Sequence, residues 1–187
     1  HAFDPSRLAA FMRQHVDDFR GELQLEQFKG GQSNPTFLLT AGGKQYVMRR
    51  KPPGVLLPSA HAVDREYRVI SALADSDVPV AKTYALCEDK EVIGSAFYIM
   101  DYVQGRILWN SALPEFAAAE RTALFAEMNR VIAALHKVDV ASVGLTSYGK
   151  PGNYLERQVA RWTKQYRASE TERIDAVENL IAWLPQH

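Results

Sequence analysis

Leu8, Phe11, Met12 and Val16 recur at helical spacing behind Asp4-Pro5-Ser6, which predicts a helix opened by that segment with those four residues on one face. From residue 22 the period shortens to two. Leu23-Gln-Leu-Glu-Gln-Phe28 alternates, Thr36-Phe-Leu-Leu-Thr40 is short and apolar, and Lys44-Gln-Tyr-Val-Met-Arg49 alternates again. Gly30-Gly31-Gln32-Ser33-Asn34 separates the first two runs and Gly42-Gly43 the last two. Residues 22–50 therefore read as a three-stranded antiparallel meander. Lys51-Pro52-Pro53-Gly54 ends the third strand. Ser59 then stands as the N-cap of a helix over residues 60–74, which Asp77-Val-Pro-Val80 breaks. Runs at 82–87 and 97–100 predict two further strands.

Beyond Gly105 the helical period returns. Leu124, Met128, Val131 and Leu135 are spaced four, three and four apart, and residues 153–167 and 171–184 are amphipathic. The element order predicts an α+β fold: a five-stranded antiparallel N-terminal lobe over residues 1–103 with one packed helix, then a helical lobe over 104–187. Trp109, Trp162 and Trp183 are expected in the core or between lobes. His15 and His61 are expected within helices, and His136 at a helix C-terminus, where a cation suits the dipole.

Composition narrows the partners. A chain of 187 residues with 47% hydrophobic and 24% charged side chains can bury a core and is not disordered. Its 22 basic residues are balanced by 22 acidic ones, so the surplus positive charge expected of a nucleic-acid binder or a polybasic membrane-surface protein is missing. The single cysteine, Cys87, excludes an internal disulfide and a cysteine-based zinc cluster, and points to a reducing, cytoplasmic compartment. No stretch reaches the length of a membrane span, and the N-terminus lacks the order of a signal peptide.

Glu66 stands out on the helix at 60–74. It falls between Ile70 and Leu73, inside the apolar arc formed with Val63, Tyr67 and Ala74. A carboxylate there needs a cation, because an unpaired buried charge costs several kcal/mol, on the order of its desolvation penalty. Alternation on the third strand puts Gln45, Val47 and Arg49 on one face and Tyr46, Met48 and Arg50 on the other, which offers Arg49 as the partner. Taken alone, such a pair also serves as a plain strut between helix and sheet. Gly30 to Asn34 can turn backbone N–H groups toward an anion, and the same residues also serve simply to turn a hairpin.

The ordered set Gly30-Gly-Gln-Ser-Asn-Pro-Thr36, Tyr46-Val-Met-Arg49, Val63-Asp-Arg-Glu66, Val78-Pro-Val80 and Phe97-Tyr-Ile-Met-Asp-Tyr-Val-Gln-Gly105 resembles the protein-kinase-like aminoglycoside phosphotransferase and choline kinase group. Leu56-Leu-Pro-Ser-Ala-His-Ala-Val-Asp-Arg-Glu-Tyr67 and Tyr148-Gly-Lys-Pro-Gly-Asn-Tyr154 look like the phosphotransferase domains that accompany acyl-CoA dehydrogenases, some of which phosphorylate hydroxyacyl-CoA. The resemblance implies transfer of the ATP γ-phosphate to a small-molecule hydroxyl, with ATP and Mg²⁺ as cofactors. It implies Gly31, Ser33 and Asn34 in the loop over the nucleotide phosphates. Val47 would lie against adenine, and Arg49 on the phosphates, paired to Glu66. Met100 to Val103 would form the hinge, where the Asp101 carbonyl and Val103 amide meet the adenine edge. Most kinases carry lysine where this chain has Arg49, a wider, bidentate cation.

The family's His-Gly-Asp catalytic loop and its later metal-binding aspartate are missing from these 187 residues. Asp18-Phe19-Arg20 precedes the first strand, and Asp175 and Asn179 lie on a helix, so neither stands in for them. The expectation is a nucleotide-binding lobe with the first helices of a substrate lobe, cut before the catalytic loop, inactive alone and exposing apolar helix faces. The alternative is a non-catalytic kinase-like binding or scaffold module.

Overall fold

The computed structural model describes residues 3–29, 34–52, 54, 61–150 and 152–186. In chain order these form α1 (Pro5–His15), β1 (Gln24–Gln27), β2 (Thr36–Ala41), β3 (Lys44–Arg50), α2 (Val63–Ala72), β4 (Thr83–Cys87), α3 (Lys90–Ile93), β5 (Phe97–Asp101), α4 (Ala118–Lys137), α5 (Tyr154–Ser169) and α6 (Asp175–Trp183), with a 3₁₀ turn at Leu184–Gln186. Two compact units result, residues 1–145 and 146–187.

Asp4 caps α1 by accepting the Ser6 amide at 2.9 Å, and Pro5 fills a position whose N–H would have no helical partner. The sheet runs β1-β2-β3-β5-β4, antiparallel at every pairing. Gly42 and Gly43 join β2 to β3 with φ of 57° and 79°, the left-handed pair that a tight hairpin needs. A Cβ on Gly42 would lie 2.7 Å from the Arg20 carbonyl oxygen, so both backbone and packing demand glycine.

One face of the sheet carries the core. Phe37, Leu39, Tyr46, Met48, Phe97 and Ile99 point from it toward Leu8, Met12, Val16 and Phe19 in and after α1. Leu8, Met12, Leu39, Met48 and Ile99 are completely buried, and each contributes about 1.5–3 kcal/mol relative to exposure. Arg50 ends this face at 3% exposure. Its Nε donates to Ser95 Oγ at 3.0 Å and its Nη2 to the Ile93 carbonyl at 3.2 Å, while Ser95 Oγ donates to the Lys51 carbonyl at 2.9 Å. These bonds offset the desolvation that lowers the pKa of this guanidinium. Ile93 belongs to α3, a single turn capped by Asp89 and ended by Gly94 at φ 84°. One turn is too short for any periodicity to reveal it.

The second helix corrects its expected start. It begins at Val63, because His61 has φ 57° and a left-handed residue cannot continue a right-handed helix. Ser59, the expected cap, lies outside the described residues, and the observed N-cap, Ala62, makes no side-chain bond. His61 is therefore not a helical residue. His15 ends α1, and His136 lies in the last turn of α4, as expected. The helix α2 lies against β4 and β5 on the face opposite α1, with Val63 fully buried and the Ser71 and Thr83 hydroxyls 2.7 Å apart.

The tryptophans are not core residues. Trp109, Trp162 and Trp183 are 85%, 64% and 52% exposed. The helices α4, α5 and α6 form where periodicity predicts, yet none has a buried residue, and Met128 and Leu135 of the α4 stripe are exposed. Helical period marks an apolar face but says nothing of what lies against it. Among the described residues no helix is long and apolar enough to cross a membrane.

Candidate functional site

The site lies on the other face of the sheet. Register pairs Leu38 with Val47 and Val47 with Met100, making one apolar row across β2, β3 and β5. Two residues along, about 7 Å by strand geometry, Thr36 pairs with Arg49 and Arg49 with Tyr98, making a polar row. Val47 is buried, whereas Leu38, Met100 and Arg49 are half-buried. Alternation thus sets a flat apolar floor beside a cationic strip.

Glu66 of α2 reaches the polar row. Its Oε2 accepts Arg49 Nε at 2.7 Å and the Tyr98 hydroxyl at 3.2 Å, and its Oε1 accepts Asn34 Nδ2 at 3.0 Å. Arg49 Nη2 stands 3.5 Å from the same Oε1. Both members of the ion pair keep about a third of their side-chain surface exposed, 34% each. An ionised carboxylate only accepts, so these donors use its lone pairs from three directions and hold one rotamer. Burial, and then the negative charge of Glu66, raise the Tyr98 pKa well above its ordinary value, against the opposing charge of Arg49. The phenol therefore remains a donor. Arg49 spends its Nε edge on Glu66, and among the described residues its Nη1 has no protein hydrogen-bond partner.

Arg49 and Glu66 meet as the alternation and the helical arc predict, and Val47, on the same strand face as Arg49, pairs with Met100, which the resemblance alone names. Asn34 joins them differently. Its side chain, only 6% exposed, turns inward, with Nδ2 on Glu66 and Oδ1 2.9 Å from His61 Nδ1. Asp101 ends β5, where its N–H donates to the Lys82 carbonyl at 2.8 Å and its carboxylate accepts the Tyr84 hydroxyl. Val103, two residues on, is 69% exposed. Gly31 and Ser33 lie outside the described residues.

Leu38, Tyr98 and His61 are the site residues that sequence reasoning missed. The alternation of their strands carries a signal for Leu38 and Tyr98, but only the cross-strand register says which neighbours they meet. His61 carries no such signal, since its surroundings read as helix. Among the described residues no group of three or more His, Cys, Asp or Glu could hold a metal ion.

An antiparallel sheet of this order, with a helix-borne glutamate paired to a strand arginine, has the architecture of the protein-kinase-like fold. Residues 24–187 match the phosphotransferase enzyme family, APH, and the chain belongs to that family. It is similar to mouse acyl-CoA dehydrogenase family member 10, 48% identical over 89% of this chain and 16% of that protein. It is also similar to mouse acyl-CoA dehydrogenase family member 11, 44% identical over 98% of this chain and 24% of that protein. A crystal structure from Ralstonia eutropha JMP134, provisionally named an aminoglycoside phosphotransferase, superposes with a TM-score of 0.85 at 60% identity. That match covers 100% of this chain and 54% of the other. The chain thus spans a quarter or less of these curated relatives.

Proposed function

We propose that this chain is the nucleotide-binding part of an ATP-dependent small-molecule phosphotransferase. The observation that carries the proposal is the pair of cross-strand rows, Leu38–Val47–Met100 beside Thr36–Arg49–Tyr98, with Glu66 locking the arginine. A purine is flat and apolar on its faces, and its phosphates are anionic and lie to one side. The apolar row suits the base, and Arg49 suits the phosphates, because a guanidinium can hold a carboxylate with one edge and present another N–H to an anion. Asp101 and Val103 would offer one backbone acceptor and one donor to the adenine edge, at a hinge near residues 100–104 that divides a nucleotide lobe from a helical one. Gly31 and Ser33 would cover the phosphates.

In the reaction the acceptor hydroxyl oxygen bonds to the γ-phosphorus as the bond to the bridging oxygen breaks. ADP leaves with that electron pair, and the hydroxyl proton passes to a base. The base and the carboxylates for Mg²⁺ are assigned outside this chain, which contains no His-Gly-Asp and whose described residues lack a metal-binding group. Family membership supports phosphoryl transfer, and the likeness of residues 56–67 and 148–154 to the phosphotransferase domains that accompany acyl-CoA dehydrogenases supports a hydroxyacyl-CoA as acceptor. The single buried cysteine supports a reducing, cytoplasmic setting.

The test is ATP binding by the complete natural protein and its Glu66→Ala variant. Loss of Glu66 frees Arg49, and the expected outcome is an ATP affinity about tenfold weaker, or roughly 1.4 kcal/mol, discounted for the partial exposure of the pair. Unchanged affinity would leave the pair a structural strut. Binding without transfer to hydroxyacyl-CoA, aminoglycoside or choline acceptors would identify a nucleotide-binding scaffold instead.

A further inference from the structure

We propose that His61 is a positioning residue for the nucleotide site, acting through Asn34 on the Glu66–Arg49 pair. This role rests on the nucleotide site proposed above. The chemistry of the acceptors orients the relay. Glu66 can only accept, so the Asn34 amide must present Nδ2 to it, and the Asn34 oxygen is left facing His61. An oxygen without a hydrogen requires a donor opposite, so His61 carries its proton on Nδ1. The hydrogen bonds therefore run in one direction, from His61 to Asn34 to Glu66, and Arg49 closes the chain from the other side.

Both ends of the relay are held by backbone. The Asn34 carbonyl accepts Thr36 Oγ1 at 3.1 Å, and the next carbonyl, of Pro35, accepts the Arg50 amide at 3.0 Å, so Asn34 is fixed to the entry of β2 and the end of β3. His61 stands two residues before α2 with φ 57°, and its carbonyl accepts the Val63 amide at 2.9 Å. A β-substituted residue persists in the left-handed region only where its surroundings over-determine it. Here the Nδ1 bond to Asn34 and the carbonyl bond to Val63 are two such restraints. The geometry ties four separate segments to one carboxylate: the residue that follows 30–33, the lead-in to α2 through Asn34, β3, and β5 through Tyr98. Glu66 then has one orientation to offer Arg49, and Arg49 has one direction in which to present its remaining N–H.

Three variants separate the hydrogen bond from the backbone. His61→Asn keeps an N–H near the position of Nδ1 and tolerates the left-handed conformation. His61→Gly tolerates the conformation and has no donor. His61→Ala has neither advantage. With ATP as the probe and the complete natural protein as the sample, His61→Asn is expected to bind within about twofold of wild type, and His61→Gly about fivefold more weakly, the range one hydrogen bond spans. His61→Ala is expected to match His61→Gly in affinity and to melt lower. A His61→Gly protein that binds ATP as tightly as wild type would overturn the relay. The second arm needs no nucleotide: the ¹⁵N spectrum of the His61 imidazole is expected to report a proton on Nδ1, and a neutral ring protonated on Nε2 instead would overturn it as well. Should wild type bind no ATP, the nucleotide site itself fails, while the imidazole spectrum still decides the relay.

Discussion

Arg49 is half-exposed and carries a carboxylate on one edge, and that division of labour sets its replaceability. A guanidinium can donate to Glu66 through Nε and still aim Nη1 elsewhere. A lysine ammonium in its place is a single point, which must choose between Glu66 and an anion or sit between them. Arg49→Lys is therefore expected to keep the fold, with a melting temperature near wild type, and to weaken ATP binding by about three- to tenfold, the worth of one charge-assisted contact. Isothermal titration against ATP beside thermal melting reads both. The residue itself was legible, since the alternation Gln45, Val47, Arg49 and the misplaced Glu66 suffice to pair them. The further donors on Glu66 were not, because Asn34 and Tyr98 come from 32 residues away on either side. Nothing local in the sequence encodes that distance in space.

The β2–β3 hairpin illustrates what an element asks of its residues. Gly42-Gly43 was readable as a tight turn, and the structure adds a reason beyond turn chemistry: the Arg20 carbonyl occupies the space a Cβ would need. Gly42→Ala combines a left-handed alanine with a backbone clash and is expected to destabilise by about 2–3 kcal/mol, lowering the denaturant midpoint with an unchanged slope. The register of β3 sets Val47 and Arg49 on their rows, so ATP affinity in the same variant reports whether the hairpin holds that register. Helix α2 was less legible at its start. Val63 and Leu73 of its apolar arc are buried and Tyr67, Ile70 and Glu66 partly so, but Ala74 is exposed beyond the helix end, and the first turn was placed too early, because propensity continued through His61, which is left-handed at φ 57°. The single turn of α3 was invisible for want of length.

Across the whole molecule, protonation adds a coherent trend. Burial raises the Cys87 thiol above its ordinary 9.0 and is the largest cause raising Tyr46, Tyr84 and Tyr98 above 10.0. Each group therefore keeps its proton in the folded chain at pH values where the unfolded chain has released it. The stability this contributes is complete below the unfolded values and declines as pH rises through them toward the folded ones. The expected melting temperature is level from neutrality to about pH 9 and falls above it, and Cys87→Ala moves the onset toward the tyrosine range near pH 10. Thermal denaturation across that interval measures it.

The sequence by itself determined the local geometry of this protein: the opening of α1, the five strands, the two faces of β3, the amphipathic helices, and the pairing of a strand arginine with a helix glutamate. All of these follow from interactions between residues a few positions apart, or from the cost of stranding a charge. Tertiary structure alone decided that β5 lies between β3 and β4, and in what register, and so the juxtaposition of an apolar row with a polar one across three strands. It also decided that Asn34 turns inward, that His61 leaves the helix, and that three tryptophans face solvent. Those outcomes depend on contacts distant in sequence, which register and packing select and periodicity does not specify.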